Sequence, residues 1–124
     1  MTIDGDLTVF NIDYRNGPEC KLPNNINDCY AALRYITECA DDFNIDKDKI
    51  AIWGEGAGAL MAAGVAMKLA KNNEAGLIKV IIVDMPMLYA GWLEPNAKKL
   101  KDTQRWWKSQ HLNGLRLLCE NVDE

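Results

Sequence analysis

A chain of 124 residues, 48% of them hydrophobic, has the size of one small globular domain with a single core, since domains most often run to ~100–150 residues. Its net charge of −4, with acidic and basic residues interspersed, builds no positive field to gather phosphates or anionic headgroups, so neither nucleic acid nor a membrane surface is expected as a partner. The longest apolar stretch, Ala57 to Ala70, is shorter than the ~20 residues a membrane helix needs, and the N-terminus lacks the basic-then-apolar pattern of a signal peptide; a soluble, cytoplasmic protein is expected.

Thr8 to Ile12 is β-branched and aromatic, and it runs into the polar, turn-forming Asp13 to Pro18; this predicts a strand followed by a long loop. Beyond Pro23, Ile26, Cys29, Tyr30, Leu33 and Ile36 recur every three or four residues, which predicts a helix reaching to about Ala40 with Asn24 or Asn25 capping its start. Ile50-Ala51-Ile52-Trp53 predicts a second strand. It meets Gly54-Glu55-Gly56-Ala57-Gly58 and passes into an alanine-rich helix ending near Lys71, whose charge suits a helix C-terminus. Leu77 to Val83, bounded by Gly76 and Pro86, predicts a strand buried on both faces. Strands alternating with helices imply a parallel sheet with right-handed crossovers and an α/β architecture.

Past Tyr89 the pattern weakens, although Ala97 to Cys119 has the leucine, lysine and tryptophan content of one or two helices. Lys98, Lys99, Lys101, Arg105 and Lys108 beside Trp106 and Trp107 hold the raw materials of a nucleic-acid surface. The simpler reading is an amphipathic helix, with Ala97, Leu100, Trp107 and Leu115 as its apolar stripe and the lysines in solvent. The four cysteines, Cys20, Cys29, Cys39 and Cys119, contain no C-x-x-C pair, and His111 is the one histidine, so no metal site is expected and the thiols are read as buried or free, Cys20 as a solvent-facing loop thiol.

The turn at Gly54 to Gly58 admits two functional readings beside simple close packing. As Gly54-x-Gly56-x-x-Ala59 it is a loose dinucleotide fingerprint, with phosphate at the helix N-terminus and Asp84 as the ribose acid, although Asp84 lies further along than the ~20 residues usual for that role. As G-x-G-x-G it has the frame of a nucleophile elbow, G-x-S-x-G, with no side chain at its centre.

The stretch before the turn favours the elbow. Asp13-Tyr14-Arg15-Asn16-Gly17-Pro18-Glu19-Cys20-Lys21-Leu22-Pro23 resembles the D-Y-R-x-A-P-E-x-x-x-P loop of the hormone-sensitive-lipase branch of the α/β-hydrolases, a group of carboxylesterases, with Gly17 in place of alanine. Asp28-Cys29-Tyr30-Ala31-Ala32-Leu33 resembles the D-x-Y-A-A-L that opens the family's next helix. Asn44-Ile45-Asp46, Lys49-Ile50-Ala51, the turn, and Pro86-Met87-Leu88 follow in the family's order and spacing. The resemblance covers residues 7–88 and implies a three-layer α-β-α fold with a small, mainly parallel sheet, a fragment of the hydrolase fold. The organisation expected is one domain over residues 1–124, with 7–88 as the hydrolase-like core and 89–124 as a helical C-terminal segment.

The same resemblance implies carboxylic-ester chemistry and a site at the turn. The family's serine aligns with Gly56, which has no oxygen to attack a carbonyl; Glu55 stands where aspartate is usual, and the N–H of Ala57 where one oxyanion donor is taken. The family's H-G-G-G loop precedes its first recognisable strand and its acid and histidine follow the third, so they are expected to fall outside this chain. No substitute presents itself. Ser109 and His111 are the only serine and histidine, and at two positions apart they point to opposite sides of a helix. Cys20 has no neighbouring base or cation cluster, and Glu55 stands one position before the apex. The expectation is a hydrolase-like chain without esterase activity of its own and without a cofactor, the alternative being a binding or assembly module that holds a small anion or nucleotide at the glycine-rich turn. The family has a further strand between the two that Thr8–Ile12 and Ile50–Trp53 resemble. The sheet is therefore expected either to pair these two directly or to leave edges for a second copy or a complementing chain.

Overall fold

The computed structural model describes residues 6–86. Helix α1 (Asn24–Glu38), strand β1 (Ala51–Glu55), helix α2 (Ala57–Lys71) and strand β2 (Val80–Asp84) follow one another, with single 3-10 turns at Lys47–Lys49 and Ala75–Leu77 leading into the two strands. The strands pair in parallel, Ala51 opposite Val80 through to Glu55 opposite Asp84, so α2 is the crossover between them. A parallel pair needs such a crossover, and α2 lies against both strands.

The helical periodicity of the sequence becomes the core. Leu33 of α1 and Val65 and Leu69 of α2 are buried together, with Ile26, Cys29, Tyr30, Ile50 and Ile52 packed around them. The small side chains of Ala59 and Ala62 are buried where α2 comes close to its neighbours, and Leu69 is fully enclosed. Lys68 and Lys71 occupy the last turn of α2, as the helix dipole favours.

Polar pairs fix how α1 sits. In the loop before it, Arg15 donates through Nε to Oδ2 of Asp28 at 2.8 Å and through its terminal nitrogen to Oδ1 at 2.7 Å, a two-pronged bond joining loop to helix. Further along, Tyr30 and Arg34 both donate to the carboxylate of Glu74, which follows α2, and Lys68 of α2 donates to Asn27 while its ammonium lies 4.6 Å from the Tyr30 ring centre. These bonds join the middle of α1 to the far end of α2.

The Arg15 pair has a pH signature. Its hydrogen bond holds the Asp28 carboxyl below the ordinary aspartate range. A carboxyl with a folded-state pKa below its unfolded one contributes stability at neutral pH, and that contribution disappears as pH falls from ~4 through the lowered value. Thermal melts at pH 6 and pH 2.5 are expected to show a smaller acid-induced drop for Asp28→Asn than for the natural chain; equal drops would assign the acid sensitivity elsewhere.

Four expectations change. Thr8–Ile12 forms no strand: the sheet of the described residues has two strands, and Leu7 and Val9 are largely exposed. Phe10 packs edge-on against Phe43, with ring centres 5.1 Å apart, so this segment is held by an aromatic contact where a strand would need a hydrogen-bonding neighbour. Strand β2 is exposed along its whole length and not buried on both faces, because α2 covers one side and nothing among the described residues covers the other. At the start of α1 neither asparagine caps: Pro23 holds the cap position, and Asn25 lies inside the first turn, fully buried, its Oδ1 accepting from the Ile26 N–H and its Nδ2 without a partner. Cys20 is buried and does not face solvent, because its N–H bonds back to the Asn16 carbonyl at 3.0 Å and curls the loop inward.

Candidate functional site

Strand β1, the turn and α2 form one continuous unit, and its three glycines have different reasons to be glycine. Gly54 is buried at the end of the face of β1 that meets α2. A Cβ there would lie 2.2 Å from the Gly58 carbonyl oxygen and 2.7 Å from the Ala59 nitrogen, so strand and helix touch backbone to backbone. Gly56 has φ +55° and ψ −114°, a region costing other residues ~1–3 kcal/mol. A Cβ on Gly56 would meet nothing within 4 Å. The apex therefore has a backbone conformation that glycine adopts freely and other residues only under strain, with empty space beside it, the arrangement that lifts a side chain clear of a strand-to-helix turn. Gly58 has neither constraint; what matters there is its carbonyl, the atom Gly54 approaches.

Two hydrogen bonds hold the apex. The Gly56 N–H donates to the Asp84 carbonyl at 3.0 Å, extending the β1–β2 ladder by one residue, and the Gly56 carbonyl accepts from the Leu60 N–H at 3.3 Å as the first bond of α2. A helix start leaves its leading N–H groups without intrahelical acceptors, so those of Ala57, Gly58 and Ala59 gather at the turn. The Ala57 N–H stands first among them. Glu55 is exposed on the face of β1 opposite α2 and lies across from Asp84 in the ladder, so two carboxylates flank the turn.

The described residues contain neither serine nor histidine, and no group of three or more His, Cys, Asp or Glu in them is placed to hold a metal. Ser109, His111, the basic and tryptophan-rich stretch and the whole 89–124 segment lie outside the described residues. Cys20, Cys29 and Cys39 are free thiols. Burial, with the nearby Asp28 charge, pushes the Cys29 thiol upward, the direction that suppresses thiolate chemistry. No helix among the described residues is long and apolar enough to cross a membrane.

A parallel strand pair joined by a helix that starts at a glycine-framed turn is an α/β unit. The chain belongs to the α/β-hydrolase fold family, whose model matches residues 1–122. An arylesterase of Saccharolobus solfataricus is 37% identical over 84 residues, covering 68% of this chain and 27% of the relative. An AB hydrolase superfamily protein of Schizosaccharomyces pombe is 44% identical over 72 residues, 58% of this chain and 21% of its own. Among solved structures, a bacterial heroin esterase at 34% identity has a TM-score of 0.59 over 72% of this chain and 28% of its own. A thermostable carboxylesterase cloned from a metagenomic library, at 27% identity, has a TM-score of 0.65 over 90% and 39%. The chain spans about a quarter of the length of the curated relatives it matches, 27% of the arylesterase. The likeness to the esterase family read from the loop, helix and turn motifs is borne out.

Proposed function

We propose that this chain is a segment of an esterase-type hydrolase whose elbow has lost its nucleophile, so that it hydrolyses no carboxylic ester through that position. The observation that carries the reading is Gly56: the backbone keeps the apex conformation, with open space for a side chain, and supplies no atom to attack a carbonyl. Relatives named as esterases supply the substrate class. What survives at the turn is the binding half of the chemistry, a cluster of N–H donors headed by Ala57, without the bond-making half.

The alternative, an anion- or nucleotide-holding module, has the same donors in its favour and two carboxylates against it. Glu55 and Asp84 sit beside the helix start and repel a phosphate group.

Hydrolysis of a short-chain p-nitrophenyl ester tests the proposal. The natural chain is expected to match the buffer blank. Turnover above the blank by the natural chain overturns the reading and sends the search to Cys20 and Glu55. Turnover gained only on Gly56→Ser assigns the loss to that one residue.

A further inference from the structure

Asn16 and Gly17 lie in the loop before α1, and that loop is held from their two flanks. On one side Arg15 is tied to Asp28, its backbone N–H donating to Oδ2 at 3.2 Å beside the two bonds of its guanidinium. On the other, the Cys20 N–H donates to the Asn16 carbonyl at 3.0 Å, and Cys20 is 6% exposed. Between these anchors Asn16 is exposed, and among the described residues neither its side chain nor the Gly17 N–H has a hydrogen-bond partner.

An asparagine whose side-chain amide is free, and whose following residue has no side chain, is open to attack by that residue's backbone nitrogen. Of the described asparagines, only Asn16 precedes a glycine. Asn11 and Asn44 are exposed as well, but each precedes isoleucine, whose branched Cβ crowds the nitrogen. Asn25, Asn27 and Asn72 have their side-chain amides engaged in hydrogen bonds. Gly17 is not in the left-handed region, so the backbone there does not require glycine.

We infer that Asn16-Gly17 is a site of spontaneous deamidation, and that its conversion releases Cys20 from burial. The Gly17 nitrogen bonds to Cγ of Asn16 while the bond from Cγ to the amide nitrogen breaks, and that nitrogen leaves as ammonia with the proton given up by Gly17. Water then opens the cyclic imide at either carbonyl, giving aspartate or isoaspartate, each with a new carboxylate at position 16. In the isoaspartyl product the chain to Gly17 runs through Cγ and is longer by one methylene, and the carbonyl that accepted from Cys20 no longer belongs to the peptide link. The turn that curls the loop inward is thereby lost, and the Cys20 thiol comes to the surface.

One tryptic peptide reads both events, because cleavage after Arg15 and Lys21 yields residues 16–21 with the asparagine and the cysteine together. The full chain is held for days in mildly alkaline buffer at physiological temperature and pulsed briefly with iodoacetamide while folded. It is then denatured, blocked with a second alkylating reagent, digested, and resolved by chromatography and mass spectrometry beside an unincubated sample. Peptide 16–21 is expected to accumulate acid forms about tenfold faster than the peptides carrying Asn11 and Asn44, whose attacking nitrogens are crowded. Its isoaspartyl form is expected to carry the iodoacetamide label at Cys20 several times more often than its amide form, as a thiol brought into solvent reacts faster. Gly17→Ala is expected to slow the conversion about tenfold, since the added Cβ shields the nitrogen at a backbone angle that alanine tolerates. Asn113-Gly114 falls in a separate peptide, residues 109–116, so its own conversion is read apart from this one. An Asn16 that converts no faster than Asn11 and Asn44 overturns the inference. So does a Gly17→Ala chain that converts as fast as the natural one, or an isoaspartyl form whose Cys20 is labelled no more than that of the amide form.

Discussion

Replacing Gly54 with alanine is expected to cost this chain most or all of its cooperative folding. The new methyl carbon would sit 2.2 Å from the carbonyl oxygen and 2.4 Å from the carbonyl carbon of Gly58, both backbone atoms of α2, so no rotamer change relieves the clash. The helix must move off the strand, and α2 carries Ala59, Met61, Ala62, Val65 and Leu69, which are most of the buried side chains. Overpacking a core costs ~1–3 kcal/mol where side chains can adjust. Here they cannot, and ~3 kcal/mol or more is expected against a total that for small domains is only ~5–15 kcal/mol. At ~4 °C or more per kcal/mol the melting temperature should fall by more than ~12 °C. Gly58→Ala is the control: it meets nothing within 4 Å and lies inside α2, where alanine is worth up to ~1 kcal/mol over glycine. If the two variants melt alike, the strand–helix contact is not what requires Gly54.

Leu69→Ala is the second large effect. Leu69 is fully buried and meets Leu33 and Val65 at the junction of the two helices, with Ile50, Ile52, Leu77 and Ile78 around the cluster. Truncating such a leucine removes transfer energy and leaves a cavity, together ~2–5 kcal/mol. With so few buried large side chains, each is a large share of the whole. Met67, two positions earlier on the same helix and 75% exposed, provides the comparison: Met67→Ala is expected to change stability by no more than ~0.5 kcal/mol. Urea titration of both variants decides the matter, and a Leu69→Ala midpoint equal to that of Met67→Ala would contradict the packing described.

The elements that were legible in the sequence are those whose cause is local. The spacing of Ile26, Cys29, Tyr30 and Leu33 is a helix face, and the structure uses those same residues against α2. The run Ile50 to Trp53 meeting three alternating glycines is a strand-to-helix turn here, and the register that places Gly56 at the apex follows from where the strand stops. What failed was whatever depends on a neighbour. Thr8–Ile12 has strand-forming side chains, but a strand exists only as half of a ladder. The continuous hydrophobicity of β2 implies two covering layers, and one layer is all the described residues supply. The inward turn of Cys20 and the unpartnered amide of Asn25 left no trace in periodicity, since both are set by how the loop after Tyr14 folds back on α1. The strand–helix contact at Gly54 was legible as a glycine and not as a distance.

The outline of the turn is governed by residues other than the one at its summit. Gly54 against the Gly58 carbonyl, together with the Asp84 carbonyl bonded to the Gly56 N–H, sets where the chain bends. The bend is kept by backbone contacts on either side of position 56, so the likeness in shape to the esterase relatives is carried by atoms that every residue type but proline possesses.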